Sequence, residues 1–169
     1  MKATLILVSL FFLFSCSKSI SERQLNTIID SYENYNAKGD DSPLGQYTES
    51  RFEDYAHFCD SLKTQLKSVN IEKLSDDSQI SYNLLNFVLN ETIVKYKFKT
   101  HWNPILSDGG FHLSLTFRVR PLTDKKSAIK YLKLLKAIPD YINQQKVLIK
   151  KGLDAGMGQP LVIFKGYES

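Results

Sequence analysis

Between Ser50 and Phe98 the apolar residues return at intervals of three and four, and no other feature limits the possible folds of this chain so tightly. Phe52, Tyr55, Cys59, Leu62, Leu66 and Val69 fall on one stripe of a helix, and Ile80, Leu84, Leu85, Val88 and Leu89 extend the same period to about Phe98. Ser50 with Glu53 has the spacing of a capping box for the first of these helices. Ser75 is placed to cap the second, with Asp76 and Asp77 favourably set against its dipole. Because this second helix is apolar on more than one face, it is expected at the centre of the fold.

The flanking segments follow the same logic. Ser19 and Glu22 form a further capping-box pair, and Leu25, Ile28, Ile29, Tyr32 and Tyr35 recur at helical period before Gly39 ends that helix. Gly39 to Gly45 then reads as a turn-rich loop. Later, Thr123 is expected to cap a helix reaching Ala137, and Pro139 to sit in the first turn of another that passes Ile142, Leu148 and Ile149 and stops at Gly152 or Gly156. Gly156 to Pro160 forms a loop, with a new helix expected at Pro160.

Residues 101–121 break the helical period. Asn103-Pro104 and Gly109-Gly110 punctuate them, and Phe111, Leu113, Leu115, Phe117 and Val119 alternate as in a strand. No partner strand lies nearby, and a lone strand cannot satisfy its own backbone. The expected fold is therefore mainly α: an antiparallel helical bundle with one irregular or extended segment near 101–121.

The amino terminus carries a different signal. Met1 and Lys2 precede an uncharged run from Leu5 to Phe14, too short for the about 20 residues of a membrane-crossing helix. Leu13-Phe14-Ser15-Cys16 resembles a lipobox, the sequence read by lipoprotein signal peptidase. That resemblance implies cleavage after Ser15, lipid attachment at Cys16 and a multi-chain membrane anchor at the bacterial envelope, with the outer membrane favoured. The expected organisation is a signal peptide at 1–15, a lipidated tether at 16–20 and a helical domain at 21–169. Removing 15 of the 169 residues leaves 154, enough for one domain with a real core.

With Cys16 acylated, Cys59 is the remaining thiol, so an internal disulfide is excluded. Its place on an apolar stripe reads as core, with a nucleophile as the alternative. The net charge of +4 is uneven: residues 121–169 hold 9 lysines against 4 acids. A basic patch would suit nucleic acid or anionic lipid. Yet Lys125, Lys126, Lys130, Lys133 and Lys136 interleave with Ile129, Leu132, Leu135 and Ile138, as on the wet face of an amphipathic helix, and an export signal argues against nucleic acid.

His57, His101 and His112 have none of the spacings that hold zinc, and no G-x-S-x-G elbow, phosphate loop or dinucleotide fingerprint occurs. His57, beside Asp54 and Asp60, reads as a surface residue. Arg118 and Arg120 are candidates for a carboxylate or phosphate, or for ion pairs with acidic helices. No catalytic residue and no metal ligand is assigned from these patterns.

From Leu74 onward the order of motifs is similar to a known family. Leu74-Ser75-Asp76-Asp77 precedes the long helix, followed by His101-Trp102-Asn103-Pro104, Gly109-Gly110 and Pro121-Leu122-Thr123. Tyr131 to Leu135, Ile138-Pro139-Asp140-Tyr141-Ile142 and Gly152 through Pro160 complete the series. It resembles the N-terminal half of the domain of unknown function 885 family, large and mostly helical exported bacterial proteins that look like zinc metallopeptidases.

The resemblance implies an H-E-x-x-H helix far downstream, whose histidines would bind zinc and whose glutamate would activate water. That segment is not in this sequence. The expectation is a helical N-terminal portion of a larger family domain, inactive alone. Zinc and a peptide substrate belong to full-length relatives, and the membrane contact is made through Cys16. Lys165 to Ser169 does not resemble a domain end, so Leu161, Val162, Ile163 and Phe164 are expected to lack the partners that the next helix would supply. The alternative is a small envelope lipoprotein acting as a binding or interaction module.

Overall fold

The computed structural model describes residues 19–35, 42–106, 109–119 and 121–164. The segment expected to be a signal peptide, Cys16, most of the expected tether, Gly39, Arg120 and Lys165 to Ser169 lie outside the described residues. The protein is mainly helical, as the apolar spacing predicts: α1 spans Ile20–Glu33, α2 Glu49–Leu66, α3 Asp76–Lys97 and α4 Lys125–Asp154. A two-stranded antiparallel hairpin, β1 (Ile105–Leu106) with β2 (Gly109–Gly110), is the only sheet among the described residues. Its register pairs Ile105 with Gly110 and Leu106 with Gly109.

The caps show how local chemistry sets the helix ends. Ser19 caps α1 through its hydroxyl, which accepts from the Glu22 N–H at 3.1 Å. The Glu22 carboxylate accepts from the Ser75 N–H at 2.8 Å and the Ser78 hydroxyl at 2.6 Å, tying α1 to the start of α3. α1 stops at Glu33, with Asn34 as its C-cap, six residues before Gly39. α2 begins one residue before Ser50, and the Thr48 hydroxyl accepts from the Arg51 N–H, so Thr48 takes the role expected of Ser50.

The largest departure is α4. Instead of two helices meeting at Pro139, one helix of 30 residues runs straight through it. Proline removes only the one N–H that would have reached the carbonyl of Leu135, and both residues are exposed, so water can take the freed acceptor. The N-cap is Asp124 rather than Thr123: its carboxylate accepts from the Ser127 N–H at 2.6 Å, and the Ser127 hydroxyl accepts from the Asp124 N–H at 3.1 Å. At the other end Met157 N–H bonds to Gly152 O at 2.8 Å and Gly156 N–H to Leu153 O at 3.0 Å, a Schellman motif. Gly156 takes the left-handed φ of 76° that the motif needs.

The described residues of 101–121 are irregular apart from the short hairpin, as expected, but the apparent strand after Gly110 is a 3-10 helix at Leu113–Arg118. The Thr116 hydroxyl donates to Leu113 O at 2.7 Å, a local bond that favours the helical turn over an unpaired strand. Another 3-10 helix, Leu161–Phe164, takes the place of the helix expected after Pro160, and Leu161 and Val162 are exposed.

The described residues divide into two compact units, and α2 and α3 contribute to both. The first unit, residues 19–35 and 60–90, buries Leu25, Ile28, Leu62, Leu66, Val69, Leu74, Leu85 and Leu89. Within it α3 is less central than its composition suggests: Ile80, Leu84 and Phe87 are each more than 60% exposed. The second unit, residues 42–59 and 91–164, buries Leu44, Ala56, Cys59, Tyr141 and Leu148. The first half of α4 is wet on both faces, because Ile129, Leu132 and Leu135 are exposed together with the lysines.

Candidate functional site

The second unit gathers its polar chemistry on one carboxylate. Glu49, the first residue of α2, accepts from Trp102 Nε1 at 2.6 Å, Lys99 Nζ at 3.0 Å, His101 Nε2 at 3.2 Å and Lys151 Nζ at 3.3 Å. Its position at a helix N-terminus adds the favourable end of the dipole. The partners come from the turn after α3, the 3-10 helix at Thr100–Trp102 that it leads into, and the last turn of α4.

The geometry of that corner depends on Lys99, which has a left-handed φ of 54°. For a residue with a Cβ this conformation costs on the order of 1 kcal/mol. The strain is offset by what the turn delivers: Lys99 Nζ reaches Glu49 and lies 3.9 Å from the Tyr96 ring centroid. The same turn inserts His101 between Phe52 (centroids 4.4 Å apart, 22° between planes) and Tyr96 (5.5 Å, 11°). The His101 side chain is 5% exposed.

α4 approaches this turn closely because residue 152 is glycine. A Cβ there would lie 2.5 Å from the carbonyl oxygen of Trp102, nearer than such atoms can come. Gly152 thus permits the contact that lets neighbouring Lys151 reach Glu49.

Burial pushes the Glu49 carboxyl upward, but the hydrogen bonds from Trp102, Lys99 and His101 outweigh it and hold the group down at about 2. Burial lowers His101, and Lys99 and Lys151 lower it further against the opposing pull of Glu49. The charge that His101 could lend Glu49 exists only when the imidazole is protonated. At neutral pH His101 therefore acts as a neutral Nε2–H donor, and the two lysines supply the positive charge. Burial likewise lowers Lys99, yet its bonds to Glu49 and Tyr96 raise it on balance.

A carboxylate locked this far below neutrality is a poor general base and is not protonated to act as an acid. Two ammonium groups beside it also make the cluster unsuited to a metal cation. Among the described residues, no group of three or more His, Cys, Asp or Glu side chains is placed to hold a metal. The cluster is a fastener joining α2, α4 and the turn after α3.

Beside it opens a cavity of about 640 Å³, within the size range of small-molecule sites. Tyr47, Phe52, Tyr96, Phe111 and Tyr141 are among its lining residues, with Gln145 and Leu148 of α4. Tyr47 meets Tyr141 edge to face at 5.1 Å, and Tyr141 donates its hydroxyl to Phe111 O at 3.2 Å. Gln144 Oε1 accepts from the Tyr47 N–H at 2.6 Å, fixing the approach to α2 against α4. Gln145 is 1% exposed, and its Nε2 has no hydrogen-bond partner among the described residues.

The residues singled out in the sequence scatter. His101 joins the cluster, whereas His57 is exposed on α2 with Glu53 at 3.9 Å. His112 is half-buried, its ring nearly perpendicular to that of Phe111 with centroids 5.8 Å apart. Cys59 is fully buried, and burial pushes its thiol up, which suits the core reading over a nucleophile. Arg118 is exposed. Glu49, Lys99, Gln145 and Lys151 carried no motif, and their roles come from tertiary placement. No described helix is long and apolar enough to cross a membrane. Comparison of the chain with protein-family models, curated proteins and solved structures gives no match.

Proposed function

We propose that this chain is a helical scaffold of the bacterial cell envelope, tethered through a lipidated Cys16 and corresponding to the N-terminal portion of an exported protein of the zinc-metallopeptidase-like family that it resembles. One observation carries this reading. Motifs that are far apart in the resemblance meet in a single place. His101 and Trp102 bond to Glu49, Pro104 and Tyr141 line the neighbouring cavity, and Gly152 receives the Trp102 carbonyl. Residues that maintain one corner of a fold in this way are expected to recur together in order and spacing.

In this reading the Glu49 cluster supplies rigidity and not acid–base chemistry, and zinc and peptide hydrolysis belong to full-length relatives in the family that the chain resembles. Radiolabelled palmitate supplied to bacteria expressing the chain should label the wild type and leave Cys16→Ser unlabelled. The purified chain should neither take up stoichiometric zinc nor cleave peptides. Zinc uptake, chelator-sensitive cleavage or equal labelling of both forms would overturn the corresponding part of the reading. A second reading, a small envelope lipoprotein acting as a binding module, is favoured by the aromatic cavity.

A further inference from the structure

We infer that the cavity lined by Tyr47, Phe52, Phe111, Tyr141 and Gln145 is a binding site for a small uncharged ligand that joins an aromatic or similarly flat apolar group to a carbonyl oxygen. The inference deepens the binding-module reading and rests on it.

The volume of about 640 Å³ accommodates a ligand of this size. Its walls present tilted rings: Tyr47 and Tyr141 are 81° apart in plane at 5.1 Å, and Phe111 and Tyr141 65° apart at 6.0 Å. Rings so arranged offer both faces and edges, which favours stacking or edge contact by another ring. Against this apolar lining stands a single buried donor in need of an acceptor. Gln145 belongs to the cavity wall, is 1% exposed, and has an Nε2 with no partner among the described residues. A buried N–H₂ without an acceptor is costly. A ligand carbonyl would satisfy it.

Charge narrows the class further. Among the described residues, Lys95 is the one cationic ammonium lining the cavity, and it pairs with Glu91 at 2.7 Å. A carboxylate would have to shed its water among tyrosine and phenylalanine rings without a free counter-charge, which is unfavourable. An amide or ketone carries the same acceptor at much smaller desolvation cost.

The test is calorimetric titration of the full chain with benzamide, toluene and benzoate. Benzamide should bind at one saturable site, more tightly than toluene or benzoate. Gln145→Met keeps the side chain unbranched and removes the donor. It should weaken benzamide about tenfold and leave toluene unchanged. A second variant, Tyr55→Trp, leaves Gln145 intact and places an indole in the cavity lining. Its emission should change on adding benzamide with the wild-type midpoint.

Toluene bound as tightly as benzamide, or benzamide bound equally by wild type and Gln145→Met, would overturn the carbonyl assignment while leaving a binding cavity in place. Preference for benzoate would overturn the uncharged class. Absence of saturable binding by all three probes, with no emission change in Tyr55→Trp, would overturn both the inference and the binding-module reading.

Discussion

Replacing Glu49 with glutamine removes one charge and little volume from the place where four donors meet. A carboxyl held at about 2 in the folded chain against an ordinary 4.5 corresponds to roughly 3 kcal/mol of differential stability. Water still reaches 24% of the side chain, and screening brings the expected effect to about 2 kcal/mol. The sign follows from the direction of the shift. A depressed carboxyl contributes stability in full above its unfolded value and loses it as pH falls toward the folded one. The Glu49 contribution is therefore complete above about pH 5 and gone near pH 2.

His101 adds a loss at higher pH. Its folded value lies below 6.5, so the unfolded chain takes up the proton first, and stability declines as pH drops through and below that value. Glu49→Gln keeps this limb and loses the lower one. Urea unfolding followed by fluorescence of Trp102, the one tryptophan of the chain and itself a donor to Glu49, reports on this cluster directly. The two proteins should differ by about 2 kcal/mol at pH 7 and converge between pH 5 and pH 2. A difference below about 0.5 kcal/mol at pH 7, the level of an ordinary surface substitution, would refute the assignment of Glu49 as the fastener. So would a difference that stays constant down to pH 3.

Three further substitutions probe the same unit. Gly152→Ala should cost about 2 kcal/mol despite alanine's better helix propensity, because its Cβ would meet the Trp102 carbonyl at 2.5 Å; an unchanged urea midpoint would contradict that close approach. Gln145→Met in the ligand-free chain should raise stability by about 1 kcal/mol, read from thermal denaturation, since it removes a buried donor without a partner. Pro139→Ala should stabilise α4 by about 1 kcal/mol or more by restoring a donor for the Leu135 carbonyl, and a loss of stability would show that the proline fits the helix better than its missing N–H implies.

What could be read in the sequence was what depends on near neighbours. The three-and-four spacing of Phe52, Tyr55, Cys59 and Leu62 defines a helix whatever surrounds it, and Ser19 caps α1 through a bond three residues away. The errors have the same origin in reverse. Pro139 is a strong local breaker, but a 30-residue helix anchored at one end by the Asp124–Ser127 box and at the other by its contact with Trp102 outweighs one missing hydrogen bond. Alternation from Phe111 to Val119 implied a strand, yet without a second strand the local turn at Leu113–Arg118 prevails. The apolar faces of α3 and the front of α4 were expected to be covered, and periodicity shows which residues share a face without showing whether anything covers it.

The cluster and the cavity were illegible for a different reason. Glu49 is separated by 50 residues from Lys99 and by 102 from Lys151, and each alone is an ordinary surface-type residue. Those that stood out, His101-Trp102 of the cluster, Pro104 and Tyr141 of the cavity and Gly152 beside them, did so through a resemblance and not through chemistry. The left-handed turn at Lys99 leaves no sequence signature either, because glycine or asparagine would be the usual occupant. Here an ion pair and a ring contact hold a lysine in that conformation, and the same lysine then brings the carboxylate and the imidazole together. Fold and site are therefore coupled at one residue. Weakening Glu49 should loosen the turn, the turn carries His101 into the cavity wall, and benzamide affinity should fall in Glu49→Gln although Glu49 does not line the cavity. Unchanged benzamide binding in that variant, alongside the expected loss of stability, would separate the fastener from the cavity and show that the wall stands without it.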